Sequence, residues 1–138
     1  MDELHKKVQV VVLQRTKNNI NLLLLQTKAD RGEFWQNVTG SIEGDESWLA
    51  GAKRELLEET GLEGHVNQLD LTFTFHDRWN RDVEERVFVA EVFSSEVELC
   101  EAEHQDFKWI PVDEVKETHY KHKNNYESFI EAVRCLKS

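Results

Sequence analysis

Three glutamates near the middle of the chain, Glu55, Glu58 and Glu59, have the type and spacing that metal-assisted chemistry requires. If this segment is helical, the three side chains project within about 100° of one another from one helix face. Like charges so placed repel one another, and anions in the last turn also oppose the helix macrodipole. A bound divalent cation would neutralise this arrangement, and Mg²⁺ is the natural candidate because it prefers oxygen ligands.

The same cluster also has a simpler interpretation. Glutamate-rich helix faces are common at protein surfaces, and Arg54 could pair with a neighbouring carboxylate in such a face. Zinc is disfavoured because the sequence has no cluster of cysteine and histidine. Cys100 and Cys135 lack a metal or redox spacing, and we expect ordinary thiols in a reducing compartment. The acidic residues alone leave a metal site and a solvated face both open.

A longer pattern surrounds the glutamates. Gly40 is followed after five residues by Glu46, and after seven more by a run of nine residues that ends at Leu62. The run consists of Arg54, Glu55, Leu56, Leu57, Glu58, Glu59, Thr60, Gly61 and Leu62. This pattern resembles the Nudix box at its defining positions. The resemblance implies an α/β/α sandwich around a mixed β-sheet, and a metal-dependent hydrolase of phosphoric anhydrides.

The resemblance also implies roles for individual residues. The expected metal ligands are the Gly40 carbonyl and the carboxylates of Glu55, Glu58 and Glu59. Arg54 is expected to orient the glutamates by ion pairing, with Glu46 supporting the loop and the helix. The expected catalytic residues are Glu55, Arg54, Glu58 and Glu103. The general base stays open between a box glutamate and Glu103, which precedes a strand late in the chain. Mg²⁺ is the expected cofactor, with Mn²⁺ as a substitute.

The segments around the box favour one class of substrate. Residues 34–41, with Thr39 where many relatives have a second glycine, resemble dihydroneopterin triphosphate pyrophosphatases and related dATP pyrophosphohydrolases. Residues 103–104 and 107–110 resemble the same subgroup. The resemblance implies that a nucleoside-triphosphate-like substrate is cut to a monophosphate and pyrophosphate. Rival functions are sanitising oxidised nucleotides, hydrolysis at an RNA 5′ end, hydrolysis of nucleotide sugars, and non-catalytic nucleotide sensing.

A pterin or purine needs a flat apolar surface and a few hydrogen-bonding groups. Phe34, Trp35 and Trp79 could supply the surface, although each could instead serve packing alone. Arg78 could meet a phosphate, although an arginine in a loop is more often solvated. We expect His104 to be a surface histidine.

Periodicity predicts a mixed α/β chain of one domain, residues 1–138. The predicted strands cover residues 8–14, 20–26, 34–39, 65–76, 85–93 and 107–110. The predicted helices are 47–60, carrying the glutamates and ending before Gly61, a short turn at 112–117, and 126–136. Helical spacing assigns the apolar face to Leu49, Ala52 and Leu56 in the first helix, and to Phe129, Ile130 and Val133 in the terminal helix. Residues 40–45 are expected to form a loop.

Composition limits the partners. The net charge of −10 disfavours binding to extended nucleic acid, which normally needs a basic face, but allows a small phosphorylated substrate. The sequence lacks an apolar run long enough to span a membrane. The charged N-terminal residues 1–7 do not resemble a signal peptide, so a cytoplasmic protein is expected. A monomer and a homodimer are equally compatible with the sequence.

Overall fold

The computed structural model describes residues 4–137. The charged N-terminal residues, on which the expected absence of a signal peptide rests, lie partly outside this range. The strands are β1 (His5–Arg15), β2 (Ile20–Thr27), β3 (Trp35–Gln36), β4 (Val38–Ser41), β5 (Gly64–His76), β6 (Asp82–Val92) and β7 (His104–Pro111). The helices are α1 (Trp48–Thr60) and α2 (Lys123–Lys137), with short 3-10 turns at Ala29–Arg31, Val112–Glu114 and Glu117–His119. In the described range, no helix combines the length and apolar character needed to cross a membrane.

The seven strands form one mixed sheet around β1. On one side β1 runs parallel to β6, with Lys7 opposite Glu85 and Leu13 opposite Glu91. On its other side β1 pairs antiparallel with β4 near its start and with β2 near its end. Strand β7 pairs with the other side of β2, whereas β3 pairs with the end of β2 on the side that also faces β1. Strand β5 completes the far edge beside β6. The predicted hairpin of the first two strands and the predicted mixed sheet are confirmed.

The alternation of side chains along β1 separates two layers of core. Val8, Val10 and Val12 pack in one hydrophobic cluster together with Ala52 and Leu56 of α1. The intervening Val11 and Leu13 pack in a second cluster together with Phe129 and Ala132 of α2. Since successive residues of a strand face opposite sides of a sheet, one helix covers each face. The predicted α/β/α sandwich is therefore confirmed.

Helix α1 begins and ends where its capping residues require. The hydroxyl of Ser47 accepts a hydrogen bond from the Ala50 amide at 3.1 Å, which satisfies one of the free donors of the first turn. Gly61 follows the helix with φ of 72°, a left-handed conformation that favours glycine. Gly51 allows close packing, because a Cβ there would lie 2.4 Å from the Cδ1 of Ile42. Helix and preceding loop therefore pack close enough for residues of both to meet.

Several predicted boundaries are wrong. The predicted strand 34–39 is two strands, β3 and β4, separated by Asn37. Strand β4 continues to Ser41, so residues 40 and 41 pair with β1 and do not belong to a loop. Strand β7 begins at His104 and not at residue 107. The terminal helix begins at Lys123, three residues before the predicted start.

Two predicted core residues are also wrong. Leu49 of α1 and Ile130 of α2 are 41% and 48% exposed. The buried face of α1 is carried by Gly51, Ala52, Glu55, Leu56, Glu59 and Thr60. It therefore includes two glutamates, which hydrophobic periodicity alone assigns to solvent.

Two adjacent leucines of α1 provide a test of this packing. Leu56 is 1% exposed and Leu57 is 48% exposed. We expect Leu56→Ala to lower the free energy of unfolding by about 2–5 kcal/mol, because it removes buried methyl groups and leaves a cavity. Leu57→Ala should change it by less than about 0.5 kcal/mol. Denaturant unfolding of both variants measures this difference, and equal losses would contradict the assigned helix face.

Candidate active site

Arg54 connects the carboxylates of α1 to the loop before the helix. Its Nη2 and Nε donate to the Glu46 carboxylate at 2.7 and 3.1 Å. Its Nη1 donates to Glu55 at 2.8 Å and to Glu58 at 3.1 Å. Nη2 also donates to the Ser41 carbonyl at 2.8 Å. Arg54 therefore holds three glutamates and the end of β4 in one array, as a planar guanidinium can.

The ionisation of Glu46 and Glu55 differs because their surroundings differ. Hydrogen bonding from Arg54 holds the pKa of Glu46 below its usual range. Burial raises the pKa of Glu55, against the opposing effect of Arg54. Glu46 is therefore the structural partner of the guanidinium, whereas the more buried Glu55 gains from any further positive charge placed beside it.

Gly40 leaves room for Glu55. A Cβ at position 40 would lie 2.0 Å from the Cδ of Glu55, well inside van der Waals contact. Because Arg54 holds the Glu55 carboxylate, that group cannot simply turn away. A side chain at position 40 would therefore displace a carboxylate, which explains on steric grounds why glycine stands here.

Glu59, Glu103 and His104 form a second cluster. Each offers one ligand atom, and the three atoms lie within 4.8 Å of one another. Nδ1 of His104 lies 2.9 Å from Oε2 of Glu59 without the alignment of a hydrogen bond. With the carboxylates ionised, neither of these buried atoms has a hydrogen-bond partner among the described residues. Unpartnered polar atoms of this kind call for a cation, a proton or water.

The carboxyl group of Glu103 is hydrogen-bonded to Glu59 in this cluster. Hydrogen bonding to Glu59, burial and the negative charge of Glu59 raise the pKa of Glu103 to about 7. Two neighbouring carboxylates thus hold a proton close to neutral pH. A divalent cation can take the place of such a proton, since carboxylate ligands must be ionised to bind metal.

The prediction of a surface location for His104 is wrong. The residue is 2% exposed, because β7 begins there and His104 pairs with Thr27 of β2. Its Nε2 lies 3.1 Å from the side-chain nitrogen of Gln36. The two carboxylates of this cluster suit Mg²⁺ or Mn²⁺, whereas the imidazole is a ligand that softer divalent metals prefer.

The predicted metal residues therefore fall into two neighbouring groups. Glu55 and the exposed Glu58 both meet Arg54, with Glu55 against Gly40. Glu59 instead meets Glu103 and His104. The side chain of Glu58 is 54% exposed, the most open of the three helix glutamates.

Two cavities lie beside these groups and share part of their walls. The smaller, of about 310 Å³, is lined by Gly40, Glu55, Glu103 and His104 among others. The larger, of about 680 Å³, is lined by aromatic and polar residues from β3, β5, β6 and the segment before α2. The residues common to both are Lys7, Arg31, Gln36, Thr39 and Trp79. The two cavities therefore adjoin, with Lys7 and Arg31 in their shared wall, and together they are called the cleft.

The predicted substrate-binding residues are partly brought together. Phe34, Arg78 and Trp79 line the larger cavity, and the Arg78 guanidinium lies 4.3 Å from the centre of the Trp79 ring. Trp79 is 56% exposed, so it stands at the cavity's open side. Trp35 lines neither cavity. Its ring packs against the α2 side of the core and under the ammonium group of Lys108.

One buried polar residue of the cleft, Glu85 of β6, was missed by the sequence analysis. It is 4% exposed and lines the larger cavity. A signal was available, because Glu85 alternates with the apolar Val83, Val87 and Val89. Period-2 alternation assigns all four residues to the same face of the sheet, where a glutamate is out of place unless it has a polar function.

The burial of Glu85 predicts a dependence of stability on pH. Burial raises the pKa of Glu85 above its ordinary value of 4.5, and Lys7 and Gln9 only partly oppose this. The folded state therefore binds this proton more tightly than the unfolded state, so stability falls as pH rises through the folded-state pKa. We expect Glu85→Gln to be more stable than the native protein at neutral pH, with a difference that shrinks towards pH 4.5. Denaturant unfolding across this range measures it, and a constant difference would contradict the account.

The fold is an α/β/α sandwich in which carboxylates cluster beside a cleft. The chain belongs to the NUDIX domain family, whose model matches residues 3–133. Nudix hydrolases generally use a divalent metal ion, and the Glu59, Glu103 and His104 group could bind one. The named hydrolases among its curated relatives support an enzyme that acts on phosphoric anhydrides.

Two curated relatives cover most of this chain. One is the dihydroneopterin triphosphate diphosphatase of Haemophilus influenzae, 32% identical over 133 residues, covering 86% of this chain and 82% of that protein. The other is an octanoyltransferase of Myxococcus xanthus, 34% identical over 110 residues and 78% of this chain. This chain spans only 31% of the octanoyltransferase's own length.

A solved structure gives the same fold. The dihydroneopterin triphosphate pyrophosphohydrolase of E. coli superposes with a TM-score of 0.77 at 22% identity. The match covers 96% of this chain and 99% of that one.

Proposed function

We propose that this chain is a Mg²⁺-dependent pyrophosphohydrolase that cuts a nucleoside-triphosphate-like substrate to a monophosphate and pyrophosphate. The observation that carries the proposal is the cleft itself. Its narrow end is lined by Glu55, Glu103 and His104, and its wide end is aromatic. The residues shared by both ends include Lys7 and Arg31. A molecule with a flat ring, a phosphate chain and a bound cation would fit this cleft. Its ring would lie at the wide end, its phosphates between the two ends and its cation at the narrow end.

The carboxylate end fits a divalent cation on the geometry already described. Glu59 and His104 each have a buried atom without a matched partner, and Glu103 holds a proton that a cation can replace. Glu55 is held by Arg54 against Gly40. When bound, the metal supplies charge neutralisation at the diphosphate bridge and a more acidic water. The predicted ligands Gly40, Glu55, Glu58 and Glu59 form part of this proposal, to which the geometry adds Glu103 and His104.

Side chains of the cleft would bind the phosphate chain and accept a proton from the attacking water. Lys7, Arg31 and Arg81 line the cleft beside the carboxylates and would hold the phosphate chain. Water attacks the α- or the β-phosphorus, and the bond from that phosphorus to the α–β bridging oxygen breaks. The leaving group, which is pyrophosphate or the monophosphate respectively, takes the electron pair. The water's proton passes to a carboxylate. Glu103 fits this role as the exposed member of its cluster, and a box glutamate remains the alternative base.

Phe34, Trp79 and Arg78 are proposed to contact the substrate at the wide end. Trp35 remains a prediction that the cleft geometry does not support. A pterin triphosphate or a (d)NTP is proposed as substrate, by similarity to the diphosphatase of H. influenzae. The proposed setting is a single domain in the cytoplasm, as a monomer or homodimer.

A substrate panel tests the proposal. Release of pyrophosphate and of phosphate would be scored with Mg²⁺ for dihydroneopterin triphosphate, the canonical (d)NTPs, 8-oxo-dGTP, 5′-triphosphate RNA and nucleotide sugars. Glu58→Gln serves as the comparison for box chemistry. We expect pyrophosphate from a small triphosphate, and much less from the variant. Cleavage only of RNA, nucleotide sugars or the oxidised nucleotide would favour those rivals, and tight nucleotide binding without cleavage would favour a sensor.

A further inference from the structure

Glu85 lines the wide end of the cleft and has one carboxylate oxygen that accepts no hydrogen bond from the described residues. Its Oε1 accepts hydrogen bonds from Gln9 at 2.9 Å and from Asn124 at 3.4 Å. Among residues 4–137, no group donates to its Oε2. The side chain lines the larger cavity although the residue is 4% exposed. A buried carboxylate needs hydrogen-bond donors, and here part of that need is left to whatever enters the cavity.

A chain of buried amides fixes the direction of these hydrogen bonds. The Asn37 side chain lies 3.2 Å from the backbone carbonyl of Asn125, which can only accept, so the Asn37 atom there is its amide nitrogen. The same nitrogen donates to Oε1 of Gln9 at 2.8 Å. The remaining group of Gln9 is its NH₂, which faces Glu85. Tyr120, whose hydroxyl donates to the oxygen of Asn37 at 2.8 Å, completes the chain.

This network makes Glu85 an acceptor held in one position. Gln9 and Asn37 are both fully buried, so neither can turn over without leaving polar atoms unpaired. Because Gln9 turns its NH₂ group towards Glu85, the ionised carboxylate keeps its second oxygen as a free acceptor. A ligand that meets it must bring N–H or O–H groups.

The rest of this cavity suits a flat heterocycle. Phe34, Phe73, Phe75 and Trp79 line it together with His122. The rings of Phe34 and His122 meet edge to face, with centres 5.2 Å apart. Aromatic side chains in such arrangements provide apolar surface for a planar ring. The hydrogen-bonding edge of that ring would then meet Glu85.

We propose that Glu85 selects substrates whose ring carries an N–H beside an exocyclic amino group, the edge that a pterin and a guanine share. This inference rests on the proposed function and names its substrate class. A carboxylate can accept from both donors of that edge at once, with the charge strengthening each bond. Adenine and cytosine place an unprotonated ring nitrogen beside their amino group, so an acceptor would face the carboxylate. Uracil and thymine flank their ring N–H with two carbonyls.

The test compares catalytic efficiency on matched triphosphates. The series is dihydroneopterin triphosphate, GTP, ITP (which keeps the ring N–H but lacks the amino group) and ATP. We expect the catalytic efficiency of the native protein on dihydroneopterin triphosphate or GTP to exceed that on ATP by about 10- to 100-fold. The efficiency on ITP should lie between that of the favoured substrate and that of ATP. The faster of dihydroneopterin triphosphate and GTP identifies whether the cleft takes a pterin or a guanine.

Glu85→Gln should reduce this preference to within a few-fold, chiefly through KM. Glu84→Gln is the matched control, since Glu84 is the preceding residue of β6, is bonded to Arg86 and does not line either cavity. It should keep the native preference. An unchanged ratio in Glu85→Gln, or no native preference over ATP, would overturn the inference. If Glu85→Gln does not fold, the native ligand series decides alone.

Calorimetric binding of the same four ligands to Glu58→Gln, which is expected to cleave poorly, separates the two proposals. Hydrolysis without preference for the shared edge would reject the role of Glu85 and leave the pyrophosphohydrolase standing. Selective binding of the pterin or guanine ligand without any hydrolysis in the native protein would reject the enzyme and support the role of Glu85.

Discussion

Glu59→Gln is expected to lower pyrophosphate release by at least about 100-fold, because several kcal/mol of metal-based charge stabilisation depend on the ligand set. Glu59 is 3% exposed and meets both Glu103 and His104. An amide has nearly the same shape as the carboxylate but no charge, so it cannot neutralise a divalent cation. Steady-state assays under saturating substrate, with Mg²⁺ varied, measure the loss and any weakening of metal binding.

The matched control is Glu63→Gln. Glu63 is an exposed glutamate just beyond the same helix, and Glu63→Gln removes the same formal charge as Glu59→Gln. It should retain nearly full activity and an unchanged requirement for Mg²⁺. Both variants should unfold cooperatively near the native temperature. Equal activity of Glu59→Gln and Glu63→Gln would contradict a role for Glu59 in the metal site.

Arg54→Ala is expected to damage stability and activity together. Its side chain is 20% exposed and contacts Glu46 and Glu55, whose side chains are 19% and 9% exposed. Removal leaves neighbouring carboxylates unpaired in a partly buried site, at a cost of about 3 kcal/mol in the free energy of unfolding. Activity should fall as well, since Glu55 loses the group that positions it. Denaturant unfolding and steady-state assays of the same preparation measure both effects.

Two comparisons separate charge from geometry at Arg54. Arg54→Lys keeps the charge but cannot reach all the groups that the planar guanidinium contacts, so it should fall between the native protein and Arg54→Ala. Arg134→Ala removes an exposed arginine that pairs with Glu131 on α2 and should leave the free energy of unfolding nearly unchanged. A loss from Arg134→Ala as large as that from Arg54→Ala would contradict the special role of the Arg54 array.

Local rules were sufficient for much of the fold. Gly61 stops α1 where the sequence predicts, because its left-handed conformation suits few other residues. The apolar run of β1 is buried from Val8 to Leu13, as expected for a strand covered on both faces. The spacing of the glutamates predicted the NUDIX family, which the family match confirms.

The remaining features depend on contacts between distant segments. His104 looked like a surface residue because the turn before it is polar, but pairing with β2 buries its ring. Trp35 is close to the box in sequence, yet its ring packs towards α2 and Lys108. Glu85 meets Gln9 across 76 positions of sequence, so only its alternation with valines indicated a buried position. Strand boundaries near Gly40 likewise depend on pairing with β1.

The most direct test of the central claim is a Mg²⁺ titration of pyrophosphate release by the native protein from its best triphosphate substrate. After removal of metal by EDTA we expect no measurable release, with activity restored by Mg²⁺ or Mn²⁺ and one pyrophosphate formed per monophosphate. Full release in EDTA would contradict a metal-dependent mechanism. Tight binding of the triphosphate with no release at any metal concentration would show that the carboxylate cleft binds its ligand without cutting it.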